Sequence, residues 1–405
     1  MIFQTLDDKD QCVGIYANNK LHFDDSEFPD NLSVTWQYVP YLRDLDVDYA
    51  LLYLEGTPLK QVLPEYLKDD WEDVSRSVAS FRRSLAAAKV DMGENCFFDL
   101  VPKRFLINLC EVKNNITEYI IKNIDKPKRY DFNKHVSMML GDIANRKVNI
   151  NKRVLKSLLS DKKNKNRARL LEASPHVCYN QFGSRTGRLT TKPNTFPILT
   201  MSKSLRTIVE PTNDFFVELD FNGAEVRTLL GLLNKEQPTG DVHNFHLREV
   251  FKTLKTREEA KVAFFAWMYG STKSTSAQES TRLAEFYEKK KLLDTYLFDK
   301  TIVTPYGKKI EDVSEHHALN YIIQSTAAEL TLKQALKMEY LLRNKSSGSF
   351  ISFLVHDAIV LDMKKEDTHL LKSLVFLMGS TNFGEFKINI KRGSNLGHLK
   401  EYSFG

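Results

Sequence analysis

The chain of 405 residues is 42% hydrophobic, 11% aromatic and 27% charged, a composition typical of globular proteins that excludes a disordered or fibrous one. Its formal net charge of +6 permits a polyanionic partner but does not require one. The four cysteines lie far apart, which argues against a zinc site or a disulfide framework. There is no apolar run of about 18 residues and no signal-peptide pattern. We therefore expect a cytoplasmic protein, in the host cytoplasm if it is viral, without membrane contact.

Residues 1–126 combine strand-like and helix-like segments. The segments CVGIYANN and DYALLYLEG favour strands, whereas DDWEDVSRSVASFRRSLAAAKV and FLINLCEVKNNITEYIIKN have helical periodicity. This combination predicts a small α/β lobe. Pro127, within the charged stretch DKPKRYD, marks a break after the lobe.

Residues 127–185 start with helical periodicity and continue into the most basic stretch of the chain. Residues 152–169 contain eight Lys or Arg residues and one acidic residue, Asp161. Such a run forms either a solvated face or a surface that follows a phosphate backbone, and charge alone leaves both open.

Two six-residue apolar segments near the C-terminal end, FISFLV and AIVLDM, are joined only by His356 and Asp357. Their β-branched and aromatic residues predict the two strands of a hairpin, with these two residues in the turn. A carboxylate in a turn is often only a capping group. The hairpin alone therefore does not define a site.

A second carboxylate, Asp220, lies in a similar setting. The segment FFVELDFNGAEVRTLLGLL predicts a short apolar strand followed by a helix, with Asp220 at the end of the strand. If this strand and the hairpin are neighbours in one sheet, Asp220 and Asp357 converge. Two close carboxylates repel each other unless a proton or a cation lies between them, and such oxygen ligands suit Mg²⁺. We therefore expect a magnesium site at these aspartates.

A third segment, LKTREEAKVAFFAWMYGS, places Arg257, Lys261, Phe265 and Tyr269 at four-residue intervals. This spacing puts the four side chains on one helical face. Two cations followed by two aromatic rings favour a surface that binds phosphates at one end and a flat ring at the other. A partly exposed amphipathic helix is the alternative.

The order of several motifs resembles that of the family A DNA polymerases, the class that includes bacterial DNA polymerase I. YNQFGSRTGRLTTKPN is similar to the template-primer motif of that family, DFNGAEVR to motif A, REEAKVAFFAWMYG to motif B and VHDAIV to motif C. DVHNFHLREVF and NYIIQSTAAEL match two further segments of the family. The resemblance implies a right-hand polymerase of mixed α/β class. Residues 127–185 would form a reduced thumb and the approach to the palm, and residues 186–405 the palm and fingers.

This resemblance implies template-directed addition of dNTPs to a primer 3′-hydroxyl, in replication or repair, with two Mg²⁺ ions or Mn²⁺ in their place. Primer-template DNA and a processivity or replisome protein would be its partners. The resemblance assigns metal binding to Asp220, Asp357 and the backbone carbonyl of Phe221. Its catalytic residues would be Asp220, Asp357 and Lys261. Its dNTP-binding residues would be Arg257, Lys261, Phe265, Tyr269, His243 and Glu225, the last as a steric gate that excludes ribonucleotides. Its DNA-binding residues would be Arg188, Asn320, Gln324 and His356, with Thr186, Gly187 and Arg227 in structural roles.

Several positions depart from the family pattern. Ala358 replaces a Glu of motif C, Gly223 replaces the usual Gln of motif A, and His316 replaces a common Arg. Only about 30 residues separate KVNINKRVL from TGRL. We therefore expect a vestigial thumb and low intrinsic processivity.

The N-terminal lobe occupies the place of the family's 3′–5′ exonuclease domain, which needs a D-x-E on a strand and two more aspartates. FLINLCEVKNNIT is similar to the last exonuclease motif, but Lys113 replaces the required Asp. D-x-E occurs at residues 25–27 and 70–72, and neither follows an apolar strand. We expect a reduced lobe without proofreading, or a protein-docking module.

Three other functions are each compatible with part of the sequence. A single-subunit RNA polymerase shares the carboxylate pair and the K…YG helix, but Glu225 argues against it because a ribonucleotide enzyme leaves that space open. A non-catalytic, nucleic-acid-binding relative would be expected to lose Asp220, Asp357 or Lys261, and all three are present. An unrelated basic structural protein would require the ordered motifs to coincide by chance.

Overall fold

The structure is a computed structural model that describes residues 1–8, 12–92, 94–160, 171, 175–270 and 276–404, with only the backbone of residues 158–160. The chain divides into two compact units, the first formed mainly by Met1–Val148 and the second mainly by Pro197–Gly405. Both helices and sheets are present, so the predicted mixed α/β class is confirmed. The described helices include none with the length and apolar character that a membrane crossing requires.

In chain order, the described α-helices are α1 (Leu59–Val62), α2 (Glu65–Ala87), α3 (Lys103–Asn123), α4 (Tyr130–Asn145), α5 (Lys152–Ser160), α6 (Ala224–Leu232), α7 (Val242–Glu249), α8 (Arg257–Met268), α9 (Ala277–Phe286), α10 (Lys289–Tyr296), α11 (Glu315–Asn344) and α12 (Leu371–Gly379). The described strands are β1 (Phe3–Thr5), β2 (Ile15–Ala17), β3 (Lys20–His22), β4 (Val34–Thr35), β5 (Asp48–Tyr49), β6 (Tyr179–Asn180), β7 (Thr190–Thr191), β8 (Phe215–Phe221), β9 (Leu297–Phe298), β10 (Thr301–Val303), β11 (Lys309–Ile310), β12 (Phe350–Val355), β13 (Ala358–Met363), β14 (Ser380–Thr381), β15 (Gly384–Glu385), β16 (Ile388–Gly393) and β17 (Lys400–Glu401).

The first unit combines a small antiparallel sheet, β1-β2-β3, with the long helices α2 and α3. Both helices match the two segments predicted from their periodicity. The strand prediction for DYALLYLEG is mostly wrong, because only Asp48–Tyr49 is a strand and Ala50–Leu54 forms a 3₁₀ helix. Ala50, Leu52 and Leu54 are nevertheless buried. A short apolar run fits either structure, since burial alone does not distinguish them.

Helix α4 belongs to the first unit, although the sequence predicts a boundary at residue 126. Two buried side chains on α4 hold it there. The Tyr130 hydroxyl accepts a hydrogen bond from the Tyr49 backbone N–H at 2.7 Å, and the Asp142 carboxylate accepts one from the Tyr38 hydroxyl at 2.9 Å. The lobe, thumb and palm labels of the predicted domains stay predictions.

The second unit contains a five-stranded antiparallel sheet in the order β12-β13-β8-β16-β17. The predicted hairpin is confirmed, because its strands cover Phe350–Val355 and Ala358–Met363 with two residues between them. The predicted strand-to-helix switch is confirmed as well. Strand β8 covers Phe215–Phe221, and α6 follows it at Ala224. This sheet positions both predicted aspartates.

Helices α6 to α11 of the second unit pack around a shared apolar core. Helix α8 contributes Ala260, Ala263, Phe264, Trp267 and Met268 to that core. The predicted polar and aromatic face of α8 lies on the outer side, with Lys261 exposed and Arg257 and Phe265 half-buried, and Tyr269 follows as the C-cap residue.

Candidate active site

The two aspartates predicted to converge lie together at one end of the sheet. Strand β8 runs antiparallel to β13, and Asp220 lies directly opposite Ala358. Asp357 precedes Ala358 in the chain, so it lies in the turn beside the end of β8. The conditional prediction that these strands are neighbours is confirmed.

The hairpin turn holds Asp357 in place through an uncommon backbone conformation. His356 has a φ of 59°, in the left-handed region that few non-glycine residues adopt, although His is enriched there. Its side chain is exposed, whereas Asp357 is half-buried. The turn therefore presents one exposed ring and one partly buried carboxylate.

The surroundings of both aspartates oppose a negative charge. Burial, followed by the charge of Asp357, raises the pKa of Asp220 to about 7, although Lys391 and a hydrogen bond from Asn389 act in the opposite direction. Burial also raises the pKa of Asp357, and the charges of Arg188 and His356 oppose that rise. A cation between the carboxylates would relieve this cost.

The donor set at this end of the sheet fits a divalent cation that prefers oxygen ligands. The Phe221 carbonyl accepts a hydrogen bond from the Gly223 N–H at 2.7 Å and keeps a second lone pair. Within the part of the chain that the structure describes, no group of three or more His, Cys, Asp or Glu side chains is arranged to hold a metal. The oxygen donors at this end of the sheet that could hold such a cation are the two carboxylates and the Phe221 carbonyl.

A cavity beside Asp357 is lined by residues for which the resemblance implies different roles in binding DNA, nucleotide and metal. Its lining includes Arg188, Glu225, His356 and Asp357, together with small residues of α11. Glu225 is buried on α6 and accepts a hydrogen bond from the Arg188 guanidinium. Burial raises the pKa of Glu225, and the charge of Arg188 opposes that rise. The predicted steric gate and a predicted DNA-binding residue thus form one ion pair.

Arg257, predicted to bind phosphates, is also part of a structural link. Its Nε and Nη2 atoms donate to the two carboxylate oxygens of Asp241 at 2.9 and 2.8 Å. Asp241 also caps α7 by accepting from the backbone N–H groups of His243 and Asn244. Burial opposes its charge, but the hydrogen bonds from Arg257 and from the Asn244 N–H outweigh burial and lower the pKa of Asp241. Sequence reasoning missed this role of Asp241, although an Asp directly before a helix is a typical N-cap signal.

Two other predicted dNTP-binding residues are neighbours. The ring of His243 lies 6.0 Å from that of Phe265, measured between centroids. Burial lowers the pKa of His243 to about 4, so its imidazole is neutral near pH 7. Its buried Nδ1 atom has no hydrogen-bond partner among the residues described. The imidazole therefore has one polar atom that no described residue satisfies.

The aromatic end of α8 meets α11. The rings of Phe265 and Tyr269 stack at 6.1 Å between centroids, with 20° between their planes. Gln324 of α11 donates from Nε2 to the Tyr269 hydroxyl at 3.0 Å. The buried Oδ1 atom of Asn320, one turn earlier, has no partner within the described ranges. The hydrogen bond to Tyr269 brings Gln324, a predicted DNA-binding residue, next to the predicted nucleotide surface.

Sequence reasoning also missed a pair of charged residues on the sheet. Glu218 lies two residues before Asp220 and therefore on the same face of β8. Lys391 of β16 lies opposite Glu218 and donates to its carboxylate at 2.8 Å. Glu218 could have been found from the sequence, because it is an acidic residue in an apolar strand, two positions before Asp220. The position of Lys391 beside Glu218 could not be predicted from neighbouring residues, because it depends on the pairing of β16 with β8.

The exonuclease-related predictions concern the first unit. Asp25–Glu27 forms a 3₁₀ helix, and both Asp70 and Glu72 lie on α2. Neither D-x-E is therefore on a strand. Gln4 of β1 donates to the Asn114 side chain of α3 at 3.0 Å, next to Lys113.

The basic run at residues 152–169 is described only in part. Helix α5 covers its start, and residues 161–169 lie outside the described residues.

Comparisons with known proteins relate the chain to DNA polymerases. No family model matches the sequence. DNA polymerase I of Geobacillus stearothermophilus is 25% identical over 249 residues, which are 49% of this chain and 28% of that protein. The polymerase domain of Pol1 from M. smegmatis, solved in complex with DNA primer-template and dNTP, superposes with a TM-score of 0.56 at 13% identity. That superposition covers 72% of this chain and 75% of the other.

The superposition shows that the chain has the fold of a DNA polymerase domain. The sequence match is likewise to a DNA polymerase, so both comparisons support a resemblance to the family A DNA polymerases.

Proposed function

We propose that the chain is a template-directed DNA polymerase that adds dNTPs to a primer 3′-hydroxyl by phosphoryl transfer with two divalent cations. The observation that carries this proposal is the placement of Asp220 and Asp357 at one end of the sheet. Both carboxylates are partly buried, so an opposite charge there would be strongly favourable.

Asp220, Asp357 and the Phe221 carbonyl would hold the cations. When bound, Mg²⁺ or Mn²⁺ would promote ionisation of the primer hydroxyl and balance the charge of the transferring phosphoryl group. Lys261, exposed on α8, would bind the triphosphate as a mobile cation.

The remaining residues around the nucleotide would orient it. His243 would offer its unpaired Nδ1 to a phosphate, and Arg257 would contact the triphosphate while its pair with Asp241 fixes the guanidinium. The stacked rings of Phe265 and Tyr269 would pack against the sugar and base. Glu225, fixed by Arg188, would fill the space of a ribose 2′-hydroxyl.

Primer-template DNA would lie along the cavity that Arg188 and His356 line and along α11, where Asn320 and Gln324 are located. Minor-groove acceptors occur in every base pair, so amide and guanidinium donors there check pair geometry without reading sequence. A processivity or replisome protein would be a further partner.

We also propose that the first unit lacks proofreading activity. Support comes from the positions of the two D-x-E sequences, which lie on helices, and from the Gln4–Asn114 amide pair beside Lys113. Cation-dependent hydrolysis of a primer end needs converging carboxylates, and amides and an amine do not replace them.

Primer extension with Mg²⁺ on a singly primed template, with dNTPs in one reaction and rNTPs in another, tests the proposed function. We expect extension with dNTPs and little with rNTPs. Preferred use of rNTPs would favour the RNA polymerase alternative. DNA binding without any extension would favour the non-catalytic one.

A further inference from the structure

The neighbours of Asp220 on the sheet are fixed by strand register. Ala358, which carries no charge, lies opposite it on β13, and Asn389 lies opposite it on β16. The next positions along the same face are Glu218 on β8 and Lys391 on β16. A positive charge and a negative charge are thus built in beside the proposed cation site.

Lys391 has carboxylates on both sides within the sheet. Glu218 accepts its hydrogen bond at 2.8 Å, with 13% of the Glu218 side chain and 32% of the Lys391 side chain exposed. Glu401 of β17 lies opposite Lys391 on the other side and is exposed. The Lys391 ammonium therefore binds Glu218, the more buried of the two carboxylates.

A lysine so close to a metal-binding carboxylate would be a competitor for that carboxylate. Its side chain is long and flexible, and its ammonium is a compact positive charge that can pair with any carboxylate in reach. An ammonium on Asp220 would occupy the position that a divalent cation needs. The Lys391 ammonium instead donates its hydrogen bond to Glu218.

We propose that Glu218 is a positioning residue that holds the Lys391 ammonium away from Asp220 and so keeps the cation site open. This inference rests on the proposed function, because it assumes that Asp220 binds a divalent cation. Glu218 acts through Lys391 and does not need to touch the cation or the nucleotide.

The test measures Mn²⁺ binding by electron paramagnetic resonance on the full chain, together with the Mg²⁺ concentration needed for half-maximal primer extension. The variants are Glu218→Gln, Lys391→Met and both combined, with Glu401→Gln as the matched control. Thermal unfolding checks that each variant is folded.

We expect Glu218→Gln to weaken Mn²⁺ binding by about tenfold or more, because an unpaired ammonium beside Asp220 repels the cation. The Mg²⁺ requirement should rise in parallel, and saturating Mg²⁺ should restore most of the extension rate. Adding Lys391→Met to Glu218→Gln should restore the affinity, since the competing charge is gone. Glu401→Gln should bind like the wild type.

Unchanged Mn²⁺ affinity in Glu218→Gln, or a double variant no better than Glu218→Gln, would overturn the inference and leave the proposed function intact. A wild-type protein that binds no more Mn²⁺ than Asp220→Asn would instead overturn the cation site itself, and with it the proposed function.

Discussion

Asp220 occupies a position where burial and a neighbouring carboxylate both oppose its negative charge. An apolar or amide side chain would be more stable there, since nothing in the strand pairing of β8 needs a carboxylate. Proteins accept such a cost where function requires the charged group. This electrostatic cost, at the end of a central strand, is the reason to propose a functional role for Asp220.

The pKa of Asp220 predicts a pH-dependent effect of Asp220→Asn. Because the folded carboxyl has a pKa of about 7 and the unfolded one about 3.8, the wild type loses stability as the pH rises through that interval. At about pH 8 without divalent cations, Asp220→Asn should gain roughly 1–3 kcal/mol in free energy of unfolding. The gain should shrink as the pH falls and vanish near pH 4. Urea unfolding across this range measures it.

The control for this prediction is Glu385→Gln, since Glu385 is exposed on β15. It should leave the unfolding free energy nearly unchanged at every pH. A gain in Asp220→Asn that is the same near pH 5 and pH 8 would contradict the raised pKa.

Phe265 predicts how the protein treats chain terminators. The resemblance to the family A polymerases implies discrimination against dideoxynucleotides where Phe stands at this position, and the Phe265 ring stacks on that of Tyr269. The wild type should therefore resist dideoxynucleotides. Phe265→Tyr should incorporate them more readily, because the added hydroxyl supplies a hydrogen bond. Primer-extension ladders measure the ratio, and efficient termination by the wild type would argue against the assigned role.

At the scale of elements, the sequence predicts the hairpin and the β8–α6 switch correctly. Their signals are local, since alternation and apolar spacing lie within a few residues. The pairing of Arg257 with Asp241 and of Lys391 with Glu218 could not be predicted, because each depends on how separate elements pack or pair. The strand prediction for DYALLYLEG was mostly wrong for a different reason, because its apolar residues fit a strand and a 3₁₀ helix equally well.

The connection between β8 and α6 predicts a strong requirement for glycine. Gly223 has a φ of 74°, and a Cβ there would lie 2.4 Å from Cγ2 of Val242. Gly307 has a φ of 81° with no atom within 4 Å of such a Cβ. Gly223→Ala should therefore cost about 1–2 kcal/mol more than Gly307→Ala, which carries backbone strain alone. Chemical denaturation of both variants tests this, and equal losses would rule out the steric contribution of Val242.

At the scale of the whole molecule, the order of the motifs was enough to predict the fold. Ordered motifs constrain the chain far more than any single one, and the fold comparison agrees with them. The division into units could not be predicted, because α4 is held in the first unit by contacts of Tyr130 and Asp142 with residues far earlier in the chain. Such long-range contacts leave no local pattern.

Because the two D-x-E sequences of the first unit lie on helices, we predict that the protein does not proofread. A primer with a mismatched 3′ end should keep its terminal nucleotide during incubation with the full chain and Mg²⁺, as judged on a sequencing gel. Asp25→Ala should change nothing, since Asp25 lies in an exposed 3₁₀ helix. Trimming of the mismatch that Asp25→Ala abolishes would show a working exonuclease in this unit.

The central claim is that Asp220 and Asp357 act together on divalent cations during nucleotide addition. Single-turnover addition of one dNTP to a bound primer-template, compared between the wild type, Asp220→Asn and Asp357→Asn, tests it most directly. We predict that either substitution lowers the rate by about a thousandfold or more while DNA affinity, measured by fluorescence anisotropy, is retained. A near-normal rate in either variant would contradict the claim.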